Sequence, residues 1–239
     1  MKKSLFLFSA FCAGLFSAVA QQPFVCTEPG TVLEYACYDA EGKPTGYSRS
    51  TIERCEPNAD GWLEVVSREQ ELDLCREPVV KANGQGAMLV RTIVRSEDMV
   101  VPLGDLLVSV LRNENMSIAM TEGGDYAYPL ALSVGMMLPD VVSVFIVRRD
   151  GEPTKMNIQL HIGNRAVLAR ERITVPAGTF EAYKVAETVS VKLLIFRVAV
   201  KNVSWFVPGI GSVRTEQRTK KGKIENYSEL VSIRKSDVR

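Results

Sequence analysis

Four of the five cysteines lie between residue 20 and residue 80 and are the residues best suited to covalent chemistry: Cys26, Cys37, Cys55 and Cys75. An even number of cysteines in a secreted chain is typical of disulfides, and four cysteines allow three pairings. No two of them have Cys-x-x-Cys spacing. The pattern therefore favours neither a zinc site nor thioredoxin-like redox chemistry.

The turn signals nearby suggest how the cysteines pair. If residues 33–38 and 46–55 form a hairpin centred near Gly42, Cys55 comes close to Cys26 on the neighbouring strand. The other pairings stay open at this point. The sequence favours the disulfides Cys26–Cys55 and Cys37–Cys75.

Candidates for catalysis are few. His161 is the only histidine, and it falls on the polar side of an alternating strand, so we expect a solvent-facing or hydrogen-bonded residue. A hydrolase triad would need it, but no Gly-x-Ser-x-Gly elbow is present. Asp39 with Glu41 and Glu69 with Glu71 would each share a strand face, a common arrangement on solvated surfaces, and no glycosidase-like site surrounds them. The sequence predicts no catalytic residue and no enzyme.

Cofactor and nucleic-acid signatures are also missing from the sequence. It contains no converging set of metal ligands, no phosphate-cradling glycine loop and no dinucleotide fingerprint, so we predict no metal site and no cofactor. The 29 Lys and Arg residues nearly balance the 28 Asp and Glu residues. This balance gives no electrostatic basis for binding nucleic acid.

The amino terminus has the pattern of a secretory signal. Two lysines precede an apolar run over residues 5–15, and Ala18-Val19-Ala20 supplies the small residues of a cleavage site. The apolar run is too short for a transmembrane anchor. We predict that residues 1–20 are a signal peptide and that residues 21–239 form a single β-rich domain, located in the periplasm or outside the cell.

Most of the chain has strand and turn patterns. Residues 156–162 alternate apolar and polar side chains, as in a half-buried strand, while Val141–Val147 is apolar almost throughout and is expected to be buried on both faces. Gly163-Asn164 predicts a two-residue turn. Pro176-Ala177-Gly178 predicts a tight corner between two strands.

One segment has helical spacing instead. Apolar residues from Leu103 to Leu111 recur three and four positions apart after Pro102, which predicts an amphipathic helix packed on the sheet. The same helix could act as a lid over a ligand space. With the nearby apolar stretch that contains two methionines, it gives a predicted apolar-ligand site made of Leu103, Leu106, Leu107, Val110, Met136 and Met137.

Two corner motifs resemble a known family. Val175-Pro176-Ala177-Gly178-Thr179-Phe180, followed by Tyr183-Lys184-Val185, and later Trp205-Phe206-Val207-Pro208-Gly209-Ile210-Gly211, resemble an uncharacterised domain family common in secreted proteins of Bacteroidota. The resemblance extends over nearly all of the chain after residue 20. It implies a mainly β fold, an antiparallel up-and-down curved sheet or incomplete barrel with one packed amphipathic helix, similar to envelope proteins that carry lipids or lipoproteins. Family members often have cysteine at the position of Ala182.

The function expected from the sequence is that of a non-enzymatic protein of the cell envelope. It would bind an apolar ligand, such as a lipid, or a lipidated partner in the concave sheet. The alternative is a protein-interaction or structural component of the envelope without a small-molecule ligand. A hydrolase is the least favoured possibility.

Overall fold

The fold is almost entirely antiparallel sheet. The computed structural model describes residues 21–80, 86–104, 116–149, 152–193 and 196–235. The chain turns helical at Leu103 and Gly104, where the predicted helix begins, and the rest of that prediction lies outside the described residues.

Within these described ranges, fourteen strands form one sheet. In chain order they are β1 (Thr31–Asp39), β2 (Pro44–Pro57), β3 (Leu63–Leu72), β4 (Met88–Val94), β5 (Asp98–Val101), β6 (Met116–Gly123), β7 (Tyr126–Pro129), β8 (Met137–Leu138), β9 (Val141–Arg149), β10 (Glu152–Val175), β11 (Gly178–Leu193), β12 (Phe196–Val207), β13 (Gly211–Arg218) and β14 (Ile224–Lys235).

The strand order confirms the predicted up-and-down curved sheet. Strands pair in the order β6-β9-β10-β11-β12-β13-β14-β1-β2-β3-β4-β5-β7, and β8 pairs with β10 outside this path. Most neighbours are consecutive in sequence, as in hairpins. In the middle of this order the first strand of the chain, β1, pairs with the last, β14, so that Thr31 lies opposite Lys235.

The two outermost strands of this order are consecutive in the chain. Only Gly124 and Asp125 separate β6 from β7, so the sheet curls until its two edges lie within one turn of each other. Gly123 ends β6 in close contact with the neighbouring strand β9, since it has a φ of 126° and a Cβ there would lie 2.4 Å from the carbonyl oxygen of Val142. The sheet is therefore an open ribbon whose ends are linked by a tight connection.

Two local predictions for the edge region are wrong. Strand β9 is fully buried on one face only, because Val142 on the other face is exposed and Val144 and Ile146 are half-buried. Gly163-Asn164 does not reverse the chain, since β10 runs on to Val175. Asn164 has a φ of 51°, but the pairing with β11 resumes at Ala166, so the irregularity is a β-bulge that bends a continuous strand.

The corner predictions are confirmed. Val175 pairs with Gly178 across the β10–β11 turn, and Val207 pairs with Gly211 across the β12–β13 turn. The hairpin expected around Gly42 also forms, between β1 and β2. These turns place consecutive strands side by side and so determine most of the sheet.

Two segments outside the long strands pack against the sheet. Phe24 lies edge-on to Tyr183 and Phe206, with ring centroids 5.7 Å and 6.3 Å apart. Leu130 and Leu132 are buried in the same cluster as Phe24. The amino-terminal segment and the segment before β8 therefore complete the core.

Candidate functional site

The three predicted apolar-ligand residues that the structure describes do not form one cluster. Leu103 is buried with Ile118 and Phe145, whereas Met136 packs in a different cluster and the side chain of Met137 is 69% exposed. The short strand β8 pairs along the edge of β10, which leaves Met137 facing solvent. The other three predicted members, Leu106, Leu107 and Val110, lie outside the described residues.

The structure does not support the predicted disulfides, because Cys26, Cys37, Cys55 and Cys75 are all free thiols. Cys26 and Cys55 belong to one core cluster without being joined. Cys37 lies on β1, and Cys75 is exposed after the end of β3. Strand β2 lies between β1 and β3, which separates the second pair.

The other chemically suggestive residues have structural partners. The His161 Nε2 atom is 3.0 Å from the Asp140 carboxylate. Asp39 Oδ1 accepts the backbone N–H groups of Glu41 at 3.1 Å and Lys43 at 2.8 Å, which stabilises the β1–β2 turn. Within the described residues, no group of three or more His, Cys, Asp or Glu side chains is arranged to hold a metal ion.

A cavity of about 350 Å³, which we name the concave-face cavity, lies beside β1–β4 and β13–β14 and is lined on one side by residues 24–26. Its lining comes from inward-facing positions two residues apart on neighbouring strands, such as Ser48 and Ser50 on β2 and Ser67 and Glu69 on β3. The apolar part of the wall includes Leu33 and Ile52. Its hydroxyl groups belong to Tyr35, Ser48, Ser50, Ser67, Thr92, Ser212, Thr215 and Ser228.

Glu69 is the central polar group of this concave-face cavity. It pairs directly with Ser50 across β2 and β3. The hydroxyls of Ser50 and Ser67 both donate to Glu69 Oε1, each at 2.7 Å. Sheet register therefore holds the carboxyl group in one orientation at the cavity wall.

The electrostatics of the concave-face cavity are simple. Burial raises the pKa of Glu69, and the hydrogen bonds from Ser50 and Ser67 offset only part of this effect. Burial and then the Glu69 charge raise the pKa of Tyr35, so its hydroxyl stays protonated. No Lys, Arg or His belongs to the described lining, in which Glu69 is the one carboxyl group.

The sequence predicts that Glu69 lies on a solvated surface together with Glu71. Glu71 is exposed, whereas Glu69 lies among buried hydroxyl residues. The available signal was a run of small hydroxyl residues at inward-facing positions of β2 and β3, next to the apolar Ile52 and Val65. Their convergence depends on strand register, which the sequence does not give.

A second cavity, of about 430 Å³, lies where the two edges of the sheet approach each other. Asp98, Asp125 and Asp140 line it together with Arg165, whose side chain is 1% exposed. Arg165 donates from Nη1 to the Pro139 carbonyl and from Nη2 to the Ala127 carbonyl, both at 2.8 Å. The guanidinium thus links β10 to β7 and to the residue that follows β8.

Two tyrosines and a glutamate complete this polar cluster. The Arg165 guanidinium carbon lies 4.8 Å and 4.7 Å from the ring centroids of Tyr126 and Tyr128. The Tyr126 hydroxyl is 2.7 Å from each carboxylate oxygen of Glu187, and the Tyr128 hydroxyl donates to Oε2 at 3.1 Å. Arg165 Nε, 3.6 Å from Glu187, makes no hydrogen bond. We name Arg165, Tyr126, Tyr128 and Glu187 the latch cluster.

Comparisons with known proteins agree with this fold. The chain resembles a candidate exported protein with a YmcC-like fold from Bacteroides fragilis, at 19% identity and a TM-score of 0.66 over 90% of this chain and 100% of that one. It also resembles a candidate lipoprotein from Parabacteroides distasonis, at 20% identity and a TM-score of 0.67 over 89% and 99% of the two chains. A comparison with functionally curated proteins finds no match.

No helix among the described residues is long and apolar enough to cross a membrane.

The family is identified from sequence. The DUF3108-like family model matches residues 28–230, which include every strand from β1 to β13 and the first part of β14. The chain belongs to the DUF3108-like family.

Proposed function

We propose that this chain is a non-enzymatic binding protein of the cell envelope and that its ligand occupies the concave-face cavity. The observation that carries the proposal is the Glu69 carboxyl, which is half-buried in a hydroxyl-lined cavity without a basic partner among the described lining residues. Burying an ionisable group in this way lowers stability, and an apolar side chain would pack better. A contact between the carboxyl and a ligand would offset this loss of stability.

Several features support the envelope location and the absence of catalysis. The signal-like residues 1–20 favour export, and the similar structures are described as a candidate exported protein and a candidate lipoprotein. His161 pairs with Asp140 rather than with a nucleophile, and neither residue lines the concave-face cavity. Binding without turnover needs only the hydrogen-bonding groups already in the cavity wall.

A ligand retained during purification tests the proposal. Protein purified from the periplasm is denatured, and the released small molecules are identified by mass spectrometry. We expect a bound polar molecule in the wild type and its loss in Ser67→Val, because valine removes a hydroxyl from the cavity and adds apolar bulk. Thr174→Val, on the exposed side of the β10–β11 hairpin, is the control and should retain it. Equal recovery from both variants, or no molecule above blank in the wild type, contradicts the proposal.

The apolar ligand or lipidated partner expected from the sequence stays a proposal that rests on the helical spacing of residues 103–111, on the apolar stretches 130–138 and 141–147 and on the family resemblance. The same experiment addresses it. Recovery of fatty acyl species in place of a polar molecule favours lipid carriage. Retention of these species in Ser67→Val would place them outside the concave-face cavity.

A second candidate function, protein interaction, is favoured by one edge of the sheet. Strand β12 pairs with β13 only from Lys201 onward, so residues 196–200 have no neighbouring strand on that side within the described chain. Phe196 and Val198 are 70% and 64% exposed there. Lys192 and Arg197 form a cross-strand pair beside them. These features suit an extended, acidic segment of a partner protein that adds a strand to this edge.

Crosslinking in cells tests the partner function. A photoreactive residue placed at Val198 is expected to crosslink to one partner protein, because this side chain would lie beside the added strand. Combining it with Arg197→Glu should abolish the crosslink, since the charge at the edge is reversed. The control position is Asp60, exposed at the β2–β3 turn, because β13, β14 and β1 separate β2 from β12 in the sheet. Identical crosslinks from both positions would rule out a specific partner at the edge.

A further inference from the structure

We infer that the ligand of the concave-face cavity carries a primary ammonium group, and that the Glu69 carboxylate is its counter-charge. The inference rests on the proposed function and names the chemical class of the ligand. It follows from the charge of the cavity, from the unused oxygen of Glu69 and from the geometry of its two serine donors.

The charge of the cavity favours a cation. Among the described lining residues, Glu69 supplies the one carboxylate, and no Lys, Arg or His offsets it. Opposite charges attract strongly at short range in a site partly removed from water, and an anionic ligand would be repelled. A neutral ligand would leave the half-buried carboxylate without an opposite charge.

The hydrogen bonds favour an ammonium group over a guanidinium. Ser50 and Ser67 both donate to Oε1, so the hydrogen bonds between described residues leave Oε2 for a ligand. A guanidinium binds a carboxylate best through two parallel bonds to both oxygens. An ammonium group needs one carboxylate oxygen and further acceptors for its other protons. The hydroxyl oxygens of residues such as Thr92 and Ser228 line the same cavity.

Protonation of Glu69 links this binding to pH. Burial raises the pKa of Glu69, so acidification neutralises the carboxyl sooner than it would an exposed one. The ammonium group binds the ionised form, and its binding therefore displaces a proton. Affinity for the amine should rise with pH as Glu69 ionises and fall again once the ammonium group of the ligand loses its own proton.

Isothermal titration with matched sugars tests the inference. Glucosamine and glucose differ by one amino group, so we expect wild-type protein to bind glucosamine at millimolar concentrations at least about tenfold more tightly than glucose. Glu69→Gln should abolish this preference. Glu71→Gln, the same change two residues along β3 at an exposed position, should leave it intact. Ethanolamine and vesicles of phosphatidylethanolamine serve as further probes and separate a free amine from a lipid headgroup.

The thermal midpoint of Glu69→Gln shows whether the variant folds. Removing this ionisable group should leave the thermal midpoint unchanged or raised at neutral pH, and lost binding can then not be attributed to unfolding. Equal affinity for glucose and glucosamine, or amine binding that survives Glu69→Gln, overturns the inference. Absence of amine binding with all these probes also overturns it. The proposed function is judged separately, from the molecule recovered with wild type and with Ser67→Val.

Discussion

Replacing Arg165 by methionine is expected to lower the free energy of unfolding by about 3 to 5 kcal/mol, because it leaves the buried Glu187 without its positive neighbour. Glu187 is 8% exposed, and its remaining partners are the hydroxyls of Tyr126 and Tyr128. The change also removes the donors to the Pro139 and Ala127 carbonyls. Urea unfolding followed by tryptophan fluorescence measures the loss.

The double variant Arg165→Met with Glu187→Gln is the matched control. It removes both charges of the latch cluster, so it should recover part of the stability that the single change loses. Arg165→Lys keeps the positive charge but lacks the planar fork that reaches two carbonyls, and we expect it to fall between wild type and methionine. A single methionine variant within about 1 kcal/mol of wild type would show that the latch cluster does not hold the sheet edges.

Replacing Glu34 is expected to have the second large effect on the free energy of unfolding. Its side chain is 3% exposed, yet it accepts hydrogen bonds from Arg49 and Arg234 at 2.8 Å and from Arg76 at 3.1 Å. These arginines come from β2, from β14 and from the turn after β3. Glu34→Gln should lower the free energy of unfolding by about 2 to 3 kcal/mol at neutral pH, because charge-assisted bonds become neutral ones. The measurement is urea unfolding.

The pH dependence of stability gives Glu34 a specific signature. Burial acts to raise its pKa, but the Arg49 hydrogen bond and the charges of Arg234, Arg49 and Arg76 outweigh burial and hold the pKa below its ordinary value. The folded state therefore binds this proton less readily than the unfolded state. The stabilisation is present above the unfolded pKa and is lost as pH falls through the folded pKa. In Glu34→Gln this part of the acid destabilisation should disappear.

A surface pair supplies the comparison for Glu34. Arg172 and Glu181 lie 3.3 Å apart, with side chains 75% and 55% exposed. Glu181→Gln should change stability by less than about 1 kcal/mol and leave the acid dependence unaltered. If Glu34→Gln behaves like Glu181→Gln, the three arginines do not stabilise β1 through Glu34.

Local features of the fold were predictable from sequence because their causes are local. Pro176 and Gly178 determine a tight turn whatever surrounds them, and the alternation over residues 156–162 reports a strand with one buried face. The bulge at Asn164 was mistaken for a reversal. A residue with a left-handed backbone conformation after a glycine is compatible with a turn and with a bulge. Only the continuous pairing of β10 with β11 distinguishes the two.

The site was less predictable because it depends on register. Glu69 faces Ser50 only because β2 and β3 pair with a particular offset, which includes an irregularity between Ile52 and Arg54. A slip of one residue would turn every side chain of β3 to the opposite face. Nothing in the sequence indicates that Arg165 is buried, since an arginine in a strand is usually exposed. Its burial follows from the approach of the two sheet edges.

The pairing of β1 with β14 has a consequence for the order of folding. In synthesis and in export the amino terminus emerges first, so β1 can pair with β2 long before β14 is available. Until the last strand arrives, β1 has an open edge in a partly formed sheet, which is a site for wrong pairing. Contacts between such distant parts of a chain form slowly. A chaperone that covers β1 during this interval would protect the protein when it is most prone to aggregate.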